Sequence, residues 1–272
     1  MMRLTWIEAT VGEPARAPLW DLLRTHVGQL AAGRAEVRVR HVDTDAGGIR
    51  TPANRLLSDA AVLSTAIDAH PASDAIVVGC WGAPTVAVRD AVPVPVSTLT
   101  DAVARATGSL ARRAAVVTVA PALESLFADD LRTHGASGFL PGRPVRAYAP
   151  ESTLADVARA VTEPDDLLSR FDAAAREAVE EGADAVIVGC GYLGALFAAH
   201  GYTSVGGAPD VPVWDPNLLA MEQVLSLVRL ADAGIRPTDR GYPRPHGERA
   251  IALAAAARRL SDGAPSPERT PA

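Results

Sequence analysis

The sequence predicts an α/β protein made of two similar lobes, and three observations carry that prediction. Short runs of β-branched residues alternate with longer stretches rich in Ala, Leu and Arg that follow a helical period, the pattern of parallel strands joined by crossover helices. The segment Ser73–Cys80 (Ser-Asp-Ala-Ile-Val-Val-Gly-Cys) returns 110 residues later as Ala183–Cys190 (Ala-Asp-Ala-Val-Ile-Val-Gly-Cys), a spacing close to the size of a small α/β lobe. Each copy is followed by a Pro-Val stretch, Ala91–Val96 in the first and Asp210–Trp214 in the second.

In the first half the β-branched runs place strands at Leu4–Ile7, Val37–Arg40, Ala75–Val78 and Val94–Val96, with helices over Leu19–Ala31 and Leu56–Ala69 between them. In the second half strands fall at Ala115–Thr118, Val145–Tyr148, Ala185–Val188 and Val211–Trp214. Their helices are Leu123–His134 and Leu167–Glu181, the latter stopped by Gly182. Leu218–Ala233 reads as a strongly apolar helix after Pro216, and Glu248–Leu260 as a further one. Ser261–Ala272, rich in Pro, Ser and Gly, reads as a disordered tail.

Composition narrows the function classes. The 272 residues include 48% hydrophobic residues, enough for buried cores, and a formal charge of −6 that argues against a nucleic-acid surface. Charge interrupts the N-terminus before a signal-peptide core forms, and no apolar run approaches the roughly 20 residues of a membrane span. With only two cysteines, the expectation is a cytoplasmic protein acting on a small molecule, with neither nucleic acid nor membrane as partner. All 26 basic Lys/Arg residues are arginine. An internal pyridoxal Schiff base, a Walker-type phosphate lysine and a lysine general base are thereby excluded. The six histidines are scattered and no paired Cys-x-x-Cys occurs, so no metal site is expected.

The chemistry to test lies at the two cysteines, Cys80 and Cys190. Each is predicted to follow a buried strand and to precede the start of a helix, whose N–H groups and positive dipole end favour a thiolate. A lone Gly-Cys at a strand end would usually be packing; two copies in equivalent places point to a site. Gly189–Gly194 formally matches Gly-x-Gly-x-x-Gly, but it lies late in the chain and its partner motif at Cys80 lacks the pattern, so it is not read as a dinucleotide fingerprint.

On these residues the chain resembles the aspartate/glutamate racemase superfamily, the hydantoin racemase branch most closely, over most of residues 1–235. The stretches that carry the resemblance are Val78–Gly82, Val116–Ala120 with Pro121–Glu124, Gly182–Cys190 and Val211–Pro216. It implies two pseudo-symmetric lobes, each a short parallel sheet flanked by helices, with an active-site cleft between them. The first lobe would be residues 1–97 plus 213–260, the second 98–212, and the protein a homo-oligomer. Two departures stand out. Ile7–Gly12 replaces the usual Asn-Pro-Asn-type loop, and the Cys-Asn-Thr and Gly-Cys-Thr-His patterns of glutamate racemases are absent, which argues against glutamate as substrate.

Inverting a carbon that bears a weakly acidic hydrogen requires a base on one face and an acid on the other, and two opposed thiols meet that need without metal or organic cofactor. Cys80 and Cys190 are the expected acid/base pair. Gly79, Gly82, Gly189 and Gly191 would let the backbone approach substrate. The N–H groups of Trp81, Gly82, Gly191 and Tyr192, with the Thr118 hydroxyl, would hold an oxygen that gains charge. Trp6, Trp81 and Trp214 are read as strand C-terminal residues of the Cys80 lobe that could line one wall of the site. Glu8 and Asp215, also at strand ends, could each serve as a supporting base or be a solvated loop carboxylate, and the latter is the favoured reading; Arg50 and Arg55 are left outside the site. Two rivals stay open: a cis/trans isomerase or decarboxylase of the same fold using one cysteine, and a non-catalytic two-lobe binding protein.

Overall fold

The computed structural model describes residues 1–44, 49–237, 244–245 and 247–262. The elements begin β1 (Met2–Val11), α1 (Ala17–Leu30), β2 (Ala35–Val42), α2 (Pro52–Ala69), β3 (Ala75–Val78), α3 (Thr85–Ala91) and β4 (Val96–Thr98). There follow α4 (Leu99–Leu110), β5 (Ala114–Thr118), α5 (Glu124–Thr133), β6 (Val145–Ala147), α6 (Leu154–Arg159), α7 (Asp165–Glu180), β7 (Ala185–Val188) and α8 (Gly191–Ala199). The chain continues through β8 (Ser204–Val205), β9 (Ala208–Trp214), α9 (Pro216–Asp232) and α10 (Glu248–Asp262). The fold is α/β, with two sheet regions flanked by helices.

Contacts divide the chain into two units. Unit 1 comprises Met1–Gly12, Ala31–Thr98 and the chain from Glu222 onward; unit 2 comprises Glu13–Leu30 and Leu99–Met221. The helix α1 thus belongs with the second sheet, whereas the sequence division kept all of residues 1–97 together.

Unit 1 holds a parallel sheet in the order β2-β1-β3-β4. Its core is built from Ile7, Val62, Ala66, Ile76, Val78, Val88 and Val96, which puts β3 in the interior and explains its unbroken apolar run. The strand expected at Val94–Val96 lies instead at Val96–Thr98. Pro93 and Pro95 have no N–H for the ladder, and Pro95 contributes only its carbonyl, which accepts from Ile76. The helix α10 packs on α2, where Arg258 pairs with Asp68. Ser261 and Asp262, expected in a tail, close α10; residues 263–272 lie outside the described residues.

Unit 2 holds the order β6-β5-β7-β9-β8, parallel except for the β8–β9 hairpin. Its central strands are wholly buried. Phe171, Phe197 and Tyr202 meet edge to face, with centroids 4.6 Å to 5.8 Å apart, and fasten α7, α8 and the hairpin together. Asp172 on α7 accepts from the Tyr202 hydroxyl and the Gly206 N–H, both at 2.6 Å, and pairs with Arg176. Burial alone would raise the Asp172 carboxyl, but these bonds outweigh it and hold it below its ordinary value.

Candidate active site

In unit 1 the strand β3 delivers Cys80 to its C-terminal end, the edge where ligands bind in open parallel sheets. The Gly79 N–H donates to the Ile7 carbonyl at 2.8 Å, and Trp6 and Glu8 on the neighbouring strand close over Gly79, where a Cβ would overlap both side chains. Close packing against a buried Trp–Glu pair therefore demands glycine here; the expectation that Gly79 frees space for substrate is corrected. The half-buried Cys80 thiol donates to the Trp81 carbonyl at 3.5 Å. Trp81 and Gly82 then form a turn in which Gly82 takes φ 74°, a left-handed conformation that suits glycine. Arg55 on α2 donates to the Gly82 carbonyl at 2.6 Å and fixes that turn. The following helix α3 starts only at Thr85, so the expected helix N-terminus beside Cys80 is not formed.

In unit 2 the strand β7 delivers Cys190 in the same way, but the helix follows at once. Cys190 is the N-cap residue of α8, with φ −160° and ψ 132°, and its carbonyl accepts from the Gly194 N–H at 3.0 Å. Gly191 and Tyr192 form the first helical positions, as expected, so their N–H groups lie at the positive end of the helix dipole. A Cβ on Gly189 would stand 2.9 Å from both Val116 Cγ1 and the Val117 carbonyl oxygen, so β5 requires glycine there. The Thr118 hydroxyl is fully buried and donates to the Gly189 carbonyl at 3.4 Å, pinning the turn that carries Cys190. From the other side Asn217 donates to the Gly191 carbonyl at 2.8 Å.

Three expectations change. Glu8 is not a solvated loop carboxylate: β1 runs past it to Val11, it is 2% exposed, and it accepts the Trp6 indole N–H at 2.6 Å. Asp215 is likewise committed, accepting from His26 Nε2 at 2.6 Å and from the Asn217 N–H at 2.9 Å, with its side chain 15% exposed. The tryptophan wall is not formed as expected. Trp6 is fully buried in mid-strand, and Trp214 pairs with Ile187 in the sheet of Cys190 rather than that of Cys80. Trp81 is buried next to Cys80.

Sequence reasoning missed Tyr148, which follows β6. Its phenol is 1% exposed, and burial, assisted by the Cys190 sulfur, pushes it up to about 12. The signal available was an aromatic residue at a strand C-terminus; it was absorbed into the strand. Arg50 has no assigned role, and Arg55 serves the Cys80 turn. Among the described residues no group of three or more His, Cys, Asp or Glu could hold a metal ion.

The architecture is therefore an α/β protein with one thiol-bearing turn at the C-terminal edge of each parallel sheet. A sequence model of the family described as Asp/Glu/Hydantoin racemase matches residues 22–224. The chain belongs to that family, and it is an isomerase, a racemase of this superfamily. No curated protein matched the chain. Among solved structures, an allantoin racemase from Pseudomonas fluorescens is similar with TM-score 0.75 and 21% identity, covering 90% of this chain and 98% of its own. An allantoin racemase from Klebsiella pneumoniae gives 0.73 and 18%, covering 91% and 95%. A glutamate racemase from Bacillus anthracis gives 0.55 and 15%, covering 86% and 84%. At these identities the likeness is one of fold. No described helix is long and apolar enough to cross a membrane.

Proposed function

We propose that this racemase inverts the carbon next to a carbonyl in a hydantoin-like amino-acid derivative, using Cys80 and Cys190 as acid and base on opposite faces and no cofactor. The observation that carries the reading is the repeated Gly-Cys turn, each copy at the end of an interior parallel strand. One cysteine, as thiolate, takes the proton; the other, as thiol, returns one from the opposite side, and the roles exchange with the direction of reaction. The electron pair left on carbon moves onto the adjacent carbonyl oxygen. The positive N-terminal end of α8, where Gly191 and Tyr192 stand, is suited to stabilise that charge. Allantoin is itself a 5-substituted hydantoin, so the structural likeness to two allantoin racemases makes it the first substrate to try. We also place the enzyme in the cytoplasm, acting on a small molecule as a homo-oligomer, on its two-cysteine composition and its family.

The unequal settings of the two thiols favour one second reading, in which Cys190 alone adds to substrate or delivers a proton in a cis/trans isomerase or decarboxylase. Proton NMR in deuterated water, with single enantiomers of allantoin and other 5-substituted hydantoins, separates the two. Exchange of the hydrogen at C5 with loss of optical activity is expected. Absence of exchange beyond the uncatalysed rate on the whole panel, with a mass adduct at Cys190 alone, would replace the first reading by the second.

A further inference from the structure

We propose that the Tyr148 hydroxyl is a specificity-determining hydrogen-bond donor beside Cys190 that takes up a ring carbonyl oxygen of the substrate. The assignment rests on the racemase reading of the same site and adds to it the group that recognises the substrate's acceptor.

Topology puts the residue there. β6, β5 and β7 are neighbours in the sheet, and their C-terminal ends carry Tyr148, Thr118 and Cys190 in that order. The Tyr148 N–H donates to the Thr118 carbonyl at 3.2 Å, and Thr118 in turn bonds to Gly189, so the three strand ends are stitched together. Two strand spacings amount to roughly 10 Å. The phenol and the Cys190 sulfur lie within electrostatic range of one another.

The hydroxyl is also unsatisfied. Tyr148 is 1% exposed, yet its oxygen makes no hydrogen bond among the described residues. Ser152 lies close enough to favour the phenolate, more than Cys190 opposes it, but it does not meet hydrogen-bond geometry with the phenol. The ring is held in place: the Arg170 guanidinium stands 5.7 Å from its centroid and is itself tied to the Pro150 carbonyl and to Asp166. Buried tyrosine hydroxyls ordinarily find partners, because leaving a donor unpaired destabilises the fold. A held ring with an unpaired hydroxyl, two strand ends from the candidate acid/base thiol, is what a site looks like before its ligand supplies the acceptor. Burial keeps the phenol neutral at physiological pH, so it offers a proton rather than a second negative charge.

The test compares wild type with Tyr148→Phe, which removes one oxygen atom from a position where that atom has no partner. Three quantities are measured: the thermal midpoint, the rate at which iodoacetamide alkylates Cys190 without ligand, and the allantoin concentration that halves both that alkylation and C5–H exchange. The expected result is a roughly 10- to 100-fold rise in that concentration, with the midpoint and the ligand-free alkylation rate unchanged. A lowered midpoint or a changed ligand-free alkylation rate, with the allantoin concentration unchanged, would overturn the assignment in favour of a structural or thiol-positioning role. If wild type shows neither exchange nor protection with any hydantoin, the racemase reading falls and this assignment with it. Wild-type exchange that Tyr148→Phe leaves untouched removes this assignment alone.

Discussion

The Cys80 and Cys190 turns begin from nearly the same eight residues and end in different places. Both strands are buried on both faces and both reach a glycine that a neighbouring strand will not allow to be anything else. Beyond the cysteine they diverge. Gly191 starts a nine-residue helix, so Cys190 stands at a helix N-terminus. Trp81-Gly82-Ala83-Pro84 instead makes a turn held by Arg55, and the Cys80 thiol donates a hydrogen bond to the Trp81 carbonyl. A repeated motif therefore fixes where a thiol is delivered, while the residues after it decide the field in which the thiol sits.

The largest effect expected on this comparison comes from Gly79→Ala. Its methyl group would enter the buried Trp6–Glu8 pair, and a loss of about 1–3 kcal/mol in denaturant unfolding is expected. Unchanged stability would mean that the Cys80 turn is looser than its packing indicates. Arg55→Met should come next. It removes a charged donor from the half-buried Gly82 carbonyl and should cost about 1 kcal/mol, lowering activity through the Cys80 turn while leaving alkylation of Cys190 unaltered. Iodoacetamide labelling read by mass spectrometry addresses the thiols themselves. The α8 N-terminus should make Cys190 react about two- to five-fold faster than Cys80 at neutral pH, and equal rates would break the contrast.

The smallest effect concerns acid. Asp172 anchors only the Cys190 sheet, and its carboxyl is held below the ordinary value of 3.8. Its stabilisation is fully present above that value and is lost as pH falls through the lower folded-state value. Hydrogen exchange should therefore show the β8–β9 hairpin opening under acid, and Asp172→Asn should remove that dependence.

The sequence made the interior strands legible because a run of β-branched residues bounded by Asp and Gly admits little else: β3 and β7 match to the residue. Four helices left weaker traces. The α8 segment is apolar all round and buried, so it lacks the periodic stripe that marks an amphipathic helix, and only its start was foreseen. α3 and α6 are short, and α4 buries Thr100, Asp101 and Thr107 on faces where a pattern reading looks for aliphatic residues. The cysteines of the candidate site were visible because they repeat. Glu8, Asp215 and Tyr148 were not, since each owes its role to a partner brought close by folding: Trp6 across two positions of a strand, His26 from a distant helix, and Cys190 from two strands away.

The central claim, that each thiol serves one face of one carbon, is tested most directly by deuterium uptake at C5 of each allantoin enantiomer, supplied separately to Cys80→Ser and Cys190→Ser. The account predicts that neither variant racemises at a useful rate, with losses on the order of 10²- to 10⁴-fold. Each should still exchange the hydrogen of one enantiomer, and the two variants should choose opposite enantiomers. Racemisation that survives in either variant, or exchange of the same enantiomer by both, would contradict it.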